Sequence, residues 1–209
     1  MTCADVKVKI CGITSVEDAL EAVQAGADAL GFVFYPQSPR NIAPELAAEI
    51  IRHLPPFVTT VGLFVNEDSQ RIEEIVARCG LDVVQLHGDE MPQQCRFTGV
   101  RVIKALRVRD AESLKSAGDF PVSALLIDAW CEQSYGGTGQ VGRWDLAAPL
   151  ARQRVVVLAG GLTPDNVAQA ITEVSPYAVD VSSGVESAPG VKSPALMRAF
   201  VQQAKQVRS

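Results

Sequence analysis

Two residues stand where acid–base chemistry could be done. Cys11 closes the alternating run "KVKIC" just before "GITSVEDA", and Asp128 closes the apolar run "ALLID" just before Ala129 and Trp130. A thiolate can take a proton from carbon, and a protonated carboxyl can give one to oxygen. The pair suits an isomerisation that does both. An isolated thiol is only about 3% thiolate at pH 7. Lys9, two residues before Cys11, is placed to raise that fraction. Asp128 needs a raised pKa to act as an acid, which partial burial near Trp130 could supply. Cys11 as a small apolar filler and Asp128 as a helix cap are the bland alternatives.

Other residues could grip anions. Gly160 and Gly161 lie in "LAGGL" (158–162), and Ser182, Ser183 and Gly184 lie in "DVSSGVE" (180–186). Glycines let backbone N–H groups approach a phosphate closely, and a following helix adds favourable potential. "YGGTG" (135–139) offers further amides. Tight turns alone would also use such glycines. Arg40, in the Pro-bounded "YPQSPRNI" (35–42), could take a second anionic group, with two bonds if that group is a carboxylate. A solvated loop arginine is the alternative. His87, in "QLHGDE" (85–90), either lines the same pocket or bonds a backbone carbonyl. Cys3, Cys79, Cys95 and Cys131 read as filler or surface thiols.

These residues need a scaffold, and the sequence patterning describes one. Short Val/Ile/Leu-rich runs recur at 6–12, 27–35, 59–65, 83–88, 101–106, 124–129, 155–161 and 178–184. Each precedes a segment with helical periodicity, such as 15–26, 43–54, 67–80 and 163–174. Ser15, Asp68 and Thr163 sit at expected N-caps, Pro44 and Pro164 in first turns, and Gly26 and Gly80 just past helix ends. Strand alternating with helix eight times predicts one α/β domain over 1–209, a (β/α)8 TIM barrel. An open doubly wound sheet is the alternative. In such barrels the active site lies at the C-terminal strand ends. Here those ends are Cys11, Phe34, Val65, His87, Leu106, Asp128, Gly160 and Gly184. Side-chain alternation sends Lys7, Lys9 and Cys11 inward, with Gln85 and His87, with Ala124, Leu126 and Asp128, and with Asp180 and Ser182.

Composition narrows the classes. The 209 residues carry a formal charge of -5, which argues against a nucleic-acid partner. Five cysteines without a C-x-x-C spacing, and only two histidines, predict reduced thiols, with neither a disulfide framework nor a His-rich metal site. The N-terminal "MTCADVKVK" lacks a secretory apolar stretch, and no run is long enough to span a membrane. A cytoplasmic protein is expected. No long heptad stands out, so monomer is the default and homodimer stays open.

The ordered set "KICGIT" (9–14), "SPR" (38–40), "GLFVN" (62–66), "QLHGDE" (85–90), "LIDA" (126–129), "GGTG" (136–139), "LAGGLTPDNV" (158–167), "DVSSGVES" (180–187) and "PGVK" (189–192) closely resembles the phosphoribosylanthranilate isomerase family of tryptophan biosynthesis. The resemblance spans nearly the whole chain. It implies an Amadori rearrangement of a phosphoribosyl anthranilate substrate, with Asp128 as general acid and Cys11 as general base. It also implies that Arg40 holds the anthranilate carboxylate and that Gly161, Ser183 and Gly184, with neighbouring amides, hold the phosphate. Gly12 would keep space for the sugar. No metal or redox cofactor is implied. The segment "QVGRWDL" (140–146) departs from the family's pattern, where an aromatic is expected close to the helix start. Two rival readings are a histidine-pathway aminoaldose isomerase, which would carry aspartate in place of Cys11, and a non-catalytic phosphosugar-binding barrel.

Overall fold

The computed structural model describes residues 6–108, 110–128 and 144–207. Cys3, Trp130, Cys131, the run 135–139 and Gln140 lie outside the described residues. Eight parallel strands close into a barrel in chain order: β1 (Lys7–Cys11), β2 (Ala29–Val33), β3 (Thr59–Phe64), β4 (Val83–Leu86), β5 (Arg101–Arg107), β6 (Ala124–Asp128), β7 (Val156–Ala159) and β8 (Ala178–Val181). β8 pairs back onto β1, which rules out the open sheet.

Among the described residues six α-helices pack outside: α1 (Val16–Ala25), α2 (Pro44–Arg52), α3 (Ser69–Cys79), α4 (Trp144–Ala151), α5 (Val167–Val174) and α6 (Pro194–Gln206). None of the described helices is long and apolar enough to cross a membrane. After β4 and β5 the expected α-helices are missing. Their places are taken by 3-10 segments at Pro92–Gln94 and Glu112–Asp119. Gly99 interrupts the first connection, and Gly118 with Pro121 interrupts the second, so neither can propagate a long α-helix. A short antiparallel hairpin, β9 (Glu186–Ala188) with β10 (Val191–Lys192), follows β8 and was not anticipated.

The helix ends largely follow local chemistry. The Ser15 side chain accepts from the Asp18 amide, and Asp68 accepts from the Gln70 and Arg71 amides. Gly26 and Gly80 take left-handed conformations as C-caps. Pro44 opens α2. Thr163 is not a cap, and Pro164 lies in a turn ahead of the helix, because α5 begins only at Val167. The Asn166 side chain stabilises that turn instead, accepting from the Thr163 amide and donating to the Gly161 carbonyl.

Alternation divides the side chains into two cores. Val8, Ile10, Leu30, Phe32, Leu125, Ile127, Leu158 and Val179 face the helices. Ala105, Ala124, Leu126, Val157, Ala159 and Ala178 fill the barrel interior, capped towards the strand ends by Cys11, Val33 and Leu63. Phe34 and Leu106, read from sequence as strand-end residues, turn to the helix side. The Phe34 ring stacks on Phe64 with centroids 5.2 Å apart. Replacing Phe64 by Ala removes that stack and a fully buried ring. We expect a loss of about 3–5 kcal/mol in urea unfolding. A loss below about 1 kcal/mol would mean that the ring is not a packing element.

Candidate active site

Cys11, Arg40, His87, Asp128, Gly160, Gly161, Ser182, Ser183 and Gly184 all line one cavity of about 480 Å³ at the C-terminal end of the barrel. Tyr35, Ser38, Val65, Arg107 and Leu162 complete much of its wall. Arg107 was not picked out from the sequence, although its parity with Ile103 and Ala105 could have shown it. β1 brings Cys11 to the mouth and β6 brings Asp128, so thiol and carboxyl approach the cavity from different strands.

Cys11 is buried. Burial pushes its thiol pKa up. The charges of Lys9 and Lys192 and a Lys9 hydrogen bond pull it down, Asp180 pushes it up again, and the net direction is up. Lys9 therefore acts in the expected sense, but desolvation outweighs it. Lys9 Nζ is 2.8 Å from Asp180 Oδ1 inside the barrel. Burial lowers the Lys9 pKa, but attraction to Asp180 and Cys11 more than reverses this.

Asp128 faces His87, with Oδ2 3.7 Å from the imidazole Nε2. Gln85 Nε2 lies 3.1 Å from His87 Nδ1. With the amide in this orientation Gln85 donates, so Nδ1 accepts and the ring proton sits on Nε2, towards Asp128. Gln85 is fully buried, and its Oε1 has no partner among the described residues.

The two glycine-bearing loops meet. Gly160 and Gly161 both have positive φ, +88° and +66°. A side chain on Gly184 would collide with the Leu162 carbonyl oxygen. Only glycine lets the loop after β8 lie this close to the loop after β7. Ser182 Oγ donates to the Cys11 carbonyl at 3.0 Å, so its hydroxyl braces the loop after β1.

Arg40 is engaged by Glu186. Its Nε donates to Glu186 Oε1 at 2.7 Å and its Nη2 to Oε2 at 2.6 Å. Lys192 Nζ reaches the same carboxylate at 2.7 Å and the Ser182 carbonyl at 3.2 Å. Burial would raise the Glu186 carboxyl pKa, but hydrogen bonds from Arg40 and Lys192 hold it below its ordinary value. The space beside Gly12 is not left for a sugar. A Cβ there would fall 2.5 Å from Arg40 Cδ, so Gly12 makes room for the Arg40 stem. Glu186 and Lys192 were also missed, since nothing local to either residue announces a partner in another loop. Among the described residues, no cluster of His, Cys, Asp and Glu could hold a metal ion.

Known proteins resemble this chain in sequence and fold. The N-(5'phosphoribosyl)anthranilate (PRA) isomerase family profile matches residues 8–203. The N-(5'-phosphoribosyl)anthranilate isomerase of Pelobacter propionicus is 59% identical over 204 residues, covering 98% of each chain. A phosphoribosyl anthranilate isomerase solved in complex with reduced 1-(o-carboxyphenylamino)-1-deoxyribulose 5-phosphate is 44% identical. Its TM-score is 0.86, with 96% of this chain and 99% of that one covered. A structure described as mutually generated monomers of the dimeric enzyme from Thermotoga maritima is 42% identical. Its TM-score is 0.84, with 96% and 99% covered.

The charge balance around Cys11 can be tested directly. Asp180→Asn removes one neighbouring carboxylate, and Lys9→Met in that background then removes the cation without leaving a lone buried charge. The double variant should alkylate Cys11 with iodoacetamide several-fold more slowly near pH 8 than Asp180→Asn alone. Its rate midpoint should move to higher pH, because less thiolate is present at any given pH. Peptide mass spectrometry isolates Cys11 from the other thiols. Identical midpoints would remove Lys9 from any influence on the thiol.

Proposed function

Since the chain belongs to the N-(5'-phosphoribosyl)anthranilate isomerase family, we propose that Asp128 and Cys11 are the general acid and base of its aldose–ketose isomerisation in tryptophan biosynthesis. The observation that carries this reading is the convergence of thiol and carboxyl on one cavity. N-(5-phosphoribosyl)anthranilate enters as a closed furanose. Asp128 gives its proton to the ring oxygen, the bond from that oxygen to C1′ breaks, and the nitrogen lone pair forms a protonated Schiff base. Cys11 as thiolate then takes the C2′ proton. The released electron pair forms the C1′–C2′ double bond and neutralises the iminium. The enolamine loses its hydroxyl proton and gains one at C1′, giving 1-(2-carboxyphenylamino)-1-deoxyribulose 5-phosphate. Substrate and product are isomers, so atoms and electrons balance.

The amides around Gly160, Gly161, Ser183 and Gly184, with the Ser182 backbone, hold the phosphate in this reading. Their support is the closeness of the two loops and the positive φ of both glycines after β7. Arg40 takes the anthranilate carboxylate, and His87 donates towards Asp128. A reducing cytoplasm is the assigned setting, which the free thiols of Cys11, Cys79 and Cys95 support.

We also read the chain as a homodimer. Phe57 is 96% exposed and lies on the wall of a second cavity, of about 500 Å³, at the opposite end of the barrel. That cavity is lined by Val61, Val83, Ile103 and Val157, among others. A protruding ring beside an apolar hollow is self-complementary under two-fold symmetry. The dimeric Thermotoga maritima relative supports the same reading.

Two measurements test these assignments. Substrate made in situ from anthranilate and phosphoribosyl pyrophosphate should lose its fluorescence rapidly with wild type. Asp128→Asn and Cys11→Ala should each slow the loss by about 10²–10⁴-fold. Full activity in either variant would remove that residue from its role, and activity in neither wild type nor variant would leave only a phosphosugar-binding barrel. In sedimentation velocity at micromolar concentration, wild type should run as a dimer and Phe57→Glu as a monomer. A wild-type monomer would end the dimer reading.

A further inference from the structure

Arg40 has five N–H donors arranged on two edges. Glu186 occupies the edge formed by Nε and Nη2, in a two-bond fork of 2.7 and 2.6 Å. Among the described residues no side chain is seen to bond the outer edge, formed by Nη1 and Nη2, which is left for another acceptor. Arg40 lines the active-site cavity, whereas Glu186 does not. The Glu186 side chain is 5% exposed and the Lys192 side chain is fully buried. Glu186 is therefore wedged between two cations, with no water-facing position to swing into.

The clamp is itself held from several sides. Glu186 and Lys192 are Cα partners across the β9–β10 hairpin. The Lys192 amide donates to Asp18 Oδ2 at 3.1 Å, and Thr14 Oγ1 donates to the Gly190 carbonyl at 2.8 Å. The hairpin is thus tied to the start of α1. On its other side, a Cβ on Gly190 would lie 3.0 Å from the Pro39 carbonyl oxygen, next to Arg40 in the chain. Two cations and one carboxylate leave the group with one positive charge, so Glu186 orients Arg40 without cancelling its pull on an anion.

We propose that Glu186, backed by Lys192, is a positioning residue that aims the free edge of Arg40 at a substrate carboxylate and so makes the site selective for a carboxylated aryl amine over an uncharged one. This rests on the reading that Arg40 receives the anthranilate carboxylate. A guanidinium held on one edge has lost its rotamer freedom before the ligand arrives, which strengthens binding without adding a contact. The selectivity is for the carboxylate specifically, because the phosphate grip lies in the loops after β7 and β8.

The test uses two probes: the reduced product analogue with its carboxyphenyl group, and the same compound with an unsubstituted phenyl. Calorimetric titration compares wild type, E186Q, the double variant E186Q/K192M and R40M. Wild type should prefer the carboxylated probe. E186Q should bind that probe about ten-fold more weakly while the phenyl probe stays within about two-fold. Turnover should show a raised KM with kcat largely kept. E186Q/K192M leaves no lone buried cation, so it guards against a variant that fails to fold; it also loses the Lys192 bond to the Ser182 carbonyl, so its readout is the ratio of the two affinities, which should fall as in E186Q. Equal weakening of both probes would reduce Glu186 to a structural role and overturn the proposal. Tighter binding of the carboxylated probe would make Glu186 a competitor for Arg40, and unchanged binding would make it irrelevant; either overturns it. R40M separates the underlying reading. If R40M keeps the wild-type preference, Arg40 is not the carboxylate receptor and both ideas fall. If R40M loses the preference and E186Q keeps it, only the positioning role fails.

Discussion

Lys9 and Asp180 are Cα partners across the seam where β1 meets β8, and their side chains join at 2.8 Å inside the barrel. Closing an eight-stranded sheet requires its last strand to find one register on its first. A slip of one residue would turn every side chain of β8 to the wrong face. It would also strand two charges in a dry interior, where a lone ion is far costlier than a paired one. The pair need not add net stability to have this effect. It penalises every alternative register more heavily than the correct one. Cys11 and Ser182 each lie two residues further along the same two strands. Once the seam is set, the thiol and the loop after β8 are side by side, and Ser182 Oγ bonds the Cys11 carbonyl.

The same device recurs where β4 leaves the barrel. Lys104 Nζ meets Glu90 Oε2 at 2.9 Å with both side chains almost fully buried. Glu90 accepts from the amides of Asn66 and Gly88, while Lys104 donates to the Gly88 carbonyl at 2.7 Å. Together they fix the backbone just past His87. Burial would raise the Glu90 carboxyl pKa, but the Lys104 hydrogen bond and the amides hold it below its ordinary value. Buried ions thus cluster near the strand exits, where loops need to be rigid. The layer beneath is small and apolar, with Ala105, Ala124, Leu126, Val157 and Ala178.

Period-two alternation was legible because each strand is short and buried on both sides. Lys9, Cys11, Gln85, Asp128 and Asp180 could be turned inward from sequence alone, and the structure turns them inward. What could not be read was contact between loops. Gly12 reads locally as a space for ligand, yet the space holds the stem of Arg40, 28 residues further on. Nothing local marks Glu186 and Lys192 until the hairpin after β8 packs them against Arg40 from the loop after β2. Thr163 resembles a helix cap by type and position, but Asn166 forms a competing local turn and delays the helix. The periodicity after β4 and β5 was too weak to survive Gly99 in one connection and Gly118 and Pro121 in the other. Each miss depends on a partner distant in the chain or on two local structures close in free energy.

The thiol shows what this arrangement means for chemistry. A thiol removes a proton from carbon only as its thiolate, yet burial works against that charged form of Cys11. The substrate worsens the problem by bringing a phosphate and a carboxylate. Three cations, Lys9, Lys192 and Arg40, interact with the thiol, and two carboxylates hold them, Asp180 on Lys9 and Glu186 on Arg40 and Lys192. The set carries one net positive charge, which favours a thiolate but is shared with the substrate carboxylate that Arg40 is proposed to receive. Each carboxylate is tied to a cation, so that positive charge is distributed and held in place, and no lone buried cation results. In its proposed role, Cys11 becomes anionic in a pocket whose fixed cations already favour the thiolate. Such preorganised charge needs no rearrangement when the proton moves, and it acts in a low-dielectric site where its effect is largest.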